Sequence, residues 1–187
     1  MVVGCKKNMM IMKKITNLLV MLLGVAALVG CGDKTIELST THKQIVGSWH
    51  LVEWAGSAAD AEAATLADNG VDGELLEHLD VWIRFNDNAT FEIYQKGMPY
   101  IYYTRYAGNC LVVDDVLNGT YSDGKEMGSS YDVEVSEDGK TLTLTKVDMS
   151  SDVSVYERVS EIPSEVTDGA QSMTTRGEEV YNFTRFL

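Results

Sequence analysis

Along most of the chain, apolar and polar side chains alternate one for one. Trp49, Leu51 and Glu53 alternate with His50, Val52 and Trp54, and Val81, Ile83 and Phe85 share a face against Trp82, Arg84 and Asn86. Phe91 and Ile93 oppose Glu92 and Tyr94; Tyr131, Val133 and Val135 oppose Asp132, Glu134 and Ser136. Leu142 and Leu144 face away from Thr141, Thr143 and Thr145. A strand sends successive side chains to opposite faces, so this period predicts half-buried antiparallel strands. Nine strands are expected, over 45–54, 80–86, 89–96, 100–107, 109–113, 116–121, 130–136, 141–147 and 152–159. Turn chemistry separates neighbours at Asn86–Ala89, Gly97–Pro99, Ser122–Gly124 and Glu137–Lys140. Short strands joined by tight hairpins predict a mainly β protein, an antiparallel up-and-down β-barrel.

Residues 55–79 break the alternation. Ser57–Leu66 and Glu74–Leu79 are helix-prone, with Asn69-Gly70 and Asp72-Gly73 between them. The expected fold therefore carries a short helical excursion between its first two strands. From Gln44 through Ile83 there is no Lys or Arg, but there are eight acids: Glu53, Asp60, Glu62, Asp68, Asp72, Glu74, Glu77 and Asp80. They read either as a solvated acidic surface or as a negative rim beside the barrel mouth.

The first 30 residues follow a different rule. Lys6, Lys7, Lys13 and Lys14 precede the apolar run Leu18–Val29, with no acid before Asp33. A basic segment followed by a short apolar one is the pattern of a secretory signal. The run falls short of the roughly 20 apolar residues that a spanning helix needs. Leu28-Val29-Gly30-Cys31 then resembles the lipobox of bacterial lipoproteins. That resemblance implies a diacylglyceryl group on the Cys31 thiol, cleavage before Cys31, and acylation, as with palmitate, of the new amine. Two or more acyl chains hold stably where one holds weakly, at about 0.8 kcal/mol per buried CH₂. The expected organisation is a signal peptide over 1–30, starting at Met1 or Met12, and a lipidated Cys31 with its tether over 31–43. A barrel domain over 44–160 and a tail over 161–187 complete it. The expected location is the cell envelope, lipid-anchored at an outer membrane and facing the periplasm or the surface.

Composition sharpens this picture. The chain has 187 residues with 15 Lys plus Arg against 28 Asp plus Glu, a formal charge of −13. Removing the first 30 residues takes away four lysines and no acid, so the remainder is more acidic still. That charge excludes nucleic acid as a partner, because phosphate binding needs clustered Lys and Arg. Of three Cys, only Cys110 is left once Cys5 is cleaved and Cys31 is lipidated. Within Asn109–Val113 it reads as a small buried hydrophobe. His42, His50 and His78 fall on tether, strand and helix-prone segment without metal-ligand spacing. No nucleophile elbow, phosphate loop or dinucleotide fingerprint occurs, so no catalytic residue, metal or cofactor is expected beyond the covalent lipid.

Gly47-Ser48-Trp49, opening the first strand of a meander, resembles the lipocalin signature. With Ile45–Val52, Phe91–Lys96, Leu117–Gly124 and Asp152–Arg158, the chain is similar to lipocalin-like lipoproteins of the Bacteroides group. The resemblance implies that a basic residue late in the barrel, here Arg158, packs over Trp49 and closes the base. It also implies a barrel interior able to hold a small hydrophobic ligand. By parity, Phe85, Phe91, Ile93, Tyr102, Tyr106, Tyr121 and Tyr131 face inward, where they either line a ligand cavity or fill the core. The acidic excursion favours a neutral or cationic ligand over a free fatty acid. The other open reading is a non-catalytic structural or interaction module of the envelope whose barrel is plugged by its own side chains.

Overall fold

The structure is a computed structural model that describes residues 36–97 and 100–173. The signal-like segment, Cys31, and the closing aromatics Tyr181, Phe183 and Phe186 lie outside the described residues. The described chain opens with α1 (Thr40–Ile45) and β1 (Gly47–Ala55), followed by α2 (Ser57–Asp68) and α3 (Leu75–His78). Seven strands come next: β2 (Leu79–Phe85), β3 (Thr90–Gly97), β4 (Thr104–Val113), β5 (Val116–Tyr121), β6 (Tyr131–Val135), β7 (Thr141–Lys146) and β8 (Val153–Val159). A short α4 (Ser164–Thr167) and the two-residue β9 (Gln171–Ser172) end it.

Each of β2 to β8 pairs antiparallel with its predecessor, and β8 pairs antiparallel with β1. Because β3 also pairs with β4, the sheet closes and no barrel strand is left as an edge. The up-and-down barrel with a helical excursion between its first two strands is as expected, but it closes with eight strands rather than nine. Its inward faces form one apolar cluster that includes Trp49, Ile83, Phe91, Leu117, Leu142, Leu144 and Tyr156. Ala59 of α2 is buried in it, and Leu75 and Leu76 of α3 pack against it, so the excursion covers one end of the barrel.

Four boundaries differ from expectation. First, residues 100–107 and 109–113 do not form separate strands: β4 runs unbroken over Thr104–Val113, and Tyr100–Tyr103 belong to the hairpin loop. Gly108 looked like a break, but its missing side chain admits Phe91. A Cβ there would stand 2.8 Å from the Phe91 ring and 2.1 Å from the Thr120 carbonyl. Second, the first strand starts at Gly47 because Thr40–Ile45 is helical. The tether range 31–43 therefore includes part of α1, with Leu38 and His42 buried and the Ser39 hydroxyl capping the helix at the His42 N–H. Third, a bulge between Leu51 and Glu53 reverses the parity of β1. Trp54, expected opposite Trp49, is thereby buried in the core while Glu53 faces out.

The fourth difference is the tail. Residues 161–173 pack on the barrel wall: Ile162 and Val166 cover the outward Tyr94, with Trp82, Tyr103 and Ala170 around them. Then β9 pairs parallel with β4, Gln171 beside Thr104 and Ser172 beside Arg105. The β4–β5 ladder begins only at Gly108, so β9 occupies a stretch of β4 that β5 does not reach.

Candidate functional site

One end of the barrel is built shut. Arg158 comes in from β8 and sets its guanidinium carbon 4.1 Å from the centroid of the Trp49 ring. Its Nη1 donates to the Val46 carbonyl at 2.9 Å, its Nη2 to Gln44 at 2.6 Å, and its Nε to Gly139 at 2.6 Å. The Trp49 indole donates in turn to the Ile45 carbonyl at 2.7 Å. Gly47 has φ +133°, and a Cβ on it would lie 2.6 Å from Arg158 Nη1. Glycine is therefore required in the Gly-x-Trp both by backbone conformation and by the room that the arginine takes. On the same floor α1 buries His42, whose Nδ1 accepts the Val112 N–H at 3.2 Å.

The other end carries a pocket of about 60 Å³ between the β3–β4 hairpin and the C-terminal segment, lined by Gln95, Gly97, Tyr100, Tyr102, Thr104, Tyr106 and Met173. Of the residues read as cavity lining, Tyr102 and Tyr106 reach this pocket, Tyr102 from the loop rather than from a strand. Phe85, Phe91, Ile93, Tyr121 and Tyr131 lie deeper, buried in the core. The Tyr106 and Tyr121 ring centroids are 6.1 Å apart and those of Tyr121 and Phe91 5.7 Å, both edge to face. Packed aromatic rings therefore run from the pocket wall into the core. Met173 was missed by sequence reasoning, because nothing in its local pattern announces that the tail returns to the mouth.

Buried hydroxyls punctuate this interior. Tyr131 and Tyr156 are 1% and 0% exposed. Ser129 meets the Tyr131 hydroxyl and Ser154 that of Tyr156, each hydrogen-bond contact lowering the phenol's pKa. Burial acts more strongly and pushes both phenols well above the ordinary tyrosine value. Parity missed Tyr156 as a cavity candidate; it lies on β8, opposite Leu142 of β7 and Leu51 of β1.

Inward-facing cations are already engaged. Lys146, opposite Tyr131, pairs with Asp152 at 3.0 Å, and both are largely buried. Asp152 also accepts from the Ser57 hydroxyl at 3.2 Å and the Ala58 N–H at 3.4 Å, tying the start of α2 to the β7–β8 hairpin. Of the eight acids between Gln44 and Ile83, Glu62 is buried, and Asp80 sits on the outer wall with His50 at 2.8 Å and the Tyr103 hydroxyl. Those two are not part of a solvated rim.

Cys110 is 2% exposed, and burial pushes its thiol pKa up to about 12, so it is not a nucleophile. Among the described residues no group of three His, Cys, Asp or Glu is placed to hold a metal. None of their helices is long and apolar enough to cross a membrane.

No protein-family model matches the chain. No match was found among curated proteins either. Solved structures similar to it include Echinococcus granulosus fatty-acid-binding protein 1, at 15% identity over 63% of this chain and 98% of that one, with a TM-score of 0.34. The REP1-NXSQ fatty acid transporter is 12% identical over 65% of this chain and 99% of that one, with a TM-score of 0.36. Wild-type fluorescent protein UnaG is 20% identical over 63% of this chain and 98% of that one, with a TM-score of 0.32. At these scores the barrel rests on its own strand pairings.

Proposed function

We propose that this chain is a membrane-anchored lipoprotein of the cell envelope whose barrel binds a small apolar ligand, neutral or cationic, and performs no catalysis. The observation that carries the binding half is the tyrosine-lined pocket at one end of the barrel, backed by the packed rings of Tyr106, Tyr121 and Phe91, while the opposite end is sealed by Arg158. Apolar walls with a few converging hydroxyls are the usual make-up of a small-molecule site. The preference for an uncharged or cationic ligand rests on charge: Lys146 and Arg158 are already engaged, and a buried carboxylate without a cation is costly. The anchoring half rests on the lipobox-like Leu28–Cys31, outside the described residues.

Size favours a second reading. A pocket of about 60 Å³ is smaller than the roughly 300 Å³ at which drug-sized sites begin. A ligand must therefore displace Met173 or the Tyr100–Tyr102 loop, or else the barrel is a packed envelope module. Competition between oleyl alcohol and oleate separates the readings. Tighter binding of the alcohol supports a neutral-ligand carrier, tighter binding of oleate contradicts the charge preference, and no binding of either favours the packed module.

A further inference from the structure

Two elements bound the small pocket from outside, the β3–β4 hairpin loop and the C-terminal segment, and they are held differently. The loop is pinned from several sides. The Tyr103 hydroxyl donates to Asp80, Lys96 Nζ sits 4.7 Å over the Tyr103 ring, and the Tyr100 and Tyr102 rings pack with centroids 5.5 Å apart. The Tyr100 N–H also donates to the Gly97 carbonyl at 2.9 Å. The C-terminal segment is pinned at its root, where Ile162 and Val166, 5% and 2% exposed, pack on Tyr94. An open turn follows at Asp168–Gly169, where a Cβ on Gly169 would meet no atom within 4 Å. Beyond it Gln171 and Ser172 are exposed, and the backbone carries the attachment. The Gln171 N–H donates to the Tyr103 carbonyl at 2.8 Å, and the Met173 N–H to the Arg105 carbonyl at 3.0 Å. A two-residue ladder on exposed backbone belongs to the least stable part of a fold.

This loosely held end covers a gap. The β4–β5 ladder begins at Gly108, so without β9 the start of β4 would be an open edge beside the pocket. Met173 closes the space from that side and shares the pocket lining with Tyr106. We propose that Gln171–Met173 is a strap that gates the barrel: it lifts from β4 to admit a ligand through the side wall between β4 and β5, and Met173 is its stopper. The strap rests on the ligand-binding reading above and assigns the route of entry. It leaves the hairpin loop in place, and also α2, which Asp152 ties to the β7–β8 hairpin.

The test uses the full chain and the rate at which it takes up N-phenylnaphthylamine, an uncharged apolar dye. Arg105→Cys with Ser172→Cys sets two thiols at paired positions of β4 and β9, within reach of a disulfide. Oxidation then locks the strap shut. The oxidised double variant should take up dye about tenfold more slowly than the same protein reduced, while the wild type is indifferent to oxidation. Comparing two redox states of one variant cancels the loss of the Arg105–Glu92 pair. Gln171→Pro removes the N–H that meets Tyr103 and should quicken uptake about fivefold, the worth of one hydrogen bond. Should the cysteine pair fail to fold or to close, this variant decides alone. Uptake that neither the closed disulfide nor the proline alters sends the ligand in elsewhere and overturns the strap, while the binding reading stands. Absence of uptake by the wild type, the reduced variant and Gln171→Pro alike overturns both.

Discussion

Arg158 spans the base of the barrel with its guanidinium carbon 4.1 Å over the Trp49 ring, and its donors reach the carbonyls of Gln44, Val46 and Gly139. One side chain thus ties β8, the α1–β1 junction and the β6–β7 turn together. Replacing Arg158 with Leu removes a stacked cation and leaves three carbonyls to water, at an expected cost of about 3 kcal/mol. Lysine retains charge but not the planar fork and recovers less than half of that. Urea denaturation of the wild type and both variants measures the series; equal midpoints for arginine and leucine would refute the role.

Asp152 is expected to hold the start of α2 in place. Burial alone would raise its carboxyl pKa, but Lys146, the Ala58 N–H and the Ser57 hydroxyl outweigh burial and hold it below the ordinary carboxylate value. A depressed folded-state pKa contributes stability above the unfolded value, about 3.9, and that contribution is lost as pH falls through the folded one. Asp152→Ala strands Lys146 and costs about 3 kcal/mol. Amide exchange should quicken first in α2, Ser57–Asp68, and leave β6 and β7 protected.

His42 gives a second, milder acid sensitivity. Its Nδ1 accepts a backbone N–H, so the ring is held neutral, and burial lowers its pKa despite an opposing contact with the Asn86 carbonyl. The unfolded chain then binds the extra proton, and stability should decline as pH drops below about 6.5. His42→Asn keeps an acceptor for Val112 and cannot titrate. It should flatten the slope of stability against pH between about 6.5 and 5, whatever its absolute stability. An unchanged slope would assign the acid sensitivity elsewhere.

Much of this fold was legible because period-two alternation is a local signal and the hairpins are short. One of them, Asp114-Asp115, with positive φ values of 52° and 62°, forms the tight link between β4 and β5. The misjudged features depend on distant partners. Gly108 breaks no strand because Phe91 fills its place, Trp54 turns inward because of a bulge against β8, and Met173 reaches the mouth only after the tail has crossed the wall at Tyr94. Of the candidate site, Tyr106 was readable from parity, while Tyr102 reaches the pocket from the loop, where strand parity does not apply. Tyr156 was hidden among ordinary strand residues, because its full burial is a property of the packed interior.

Lipidation makes its own prediction. Cells fed labelled palmitate should incorporate it into the wild type and not into a Cys31→Ser variant, which should also leave the membrane fraction. Label retained by the variant would refute Cys31 as the anchor.

The central claim, an anchored barrel that carries a neutral or cationic apolar ligand, is tested most directly by native mass spectrometry of the full chain extracted from its own membranes. The account predicts a covalent lipid mass that stays with a fragment starting at Cys31, plus a second mass that dissociates on gentle activation and proves apolar and either uncharged or cationic. A barrel that is repeatedly free of any dissociable mass, or one that releases a fatty acid, would contradict it.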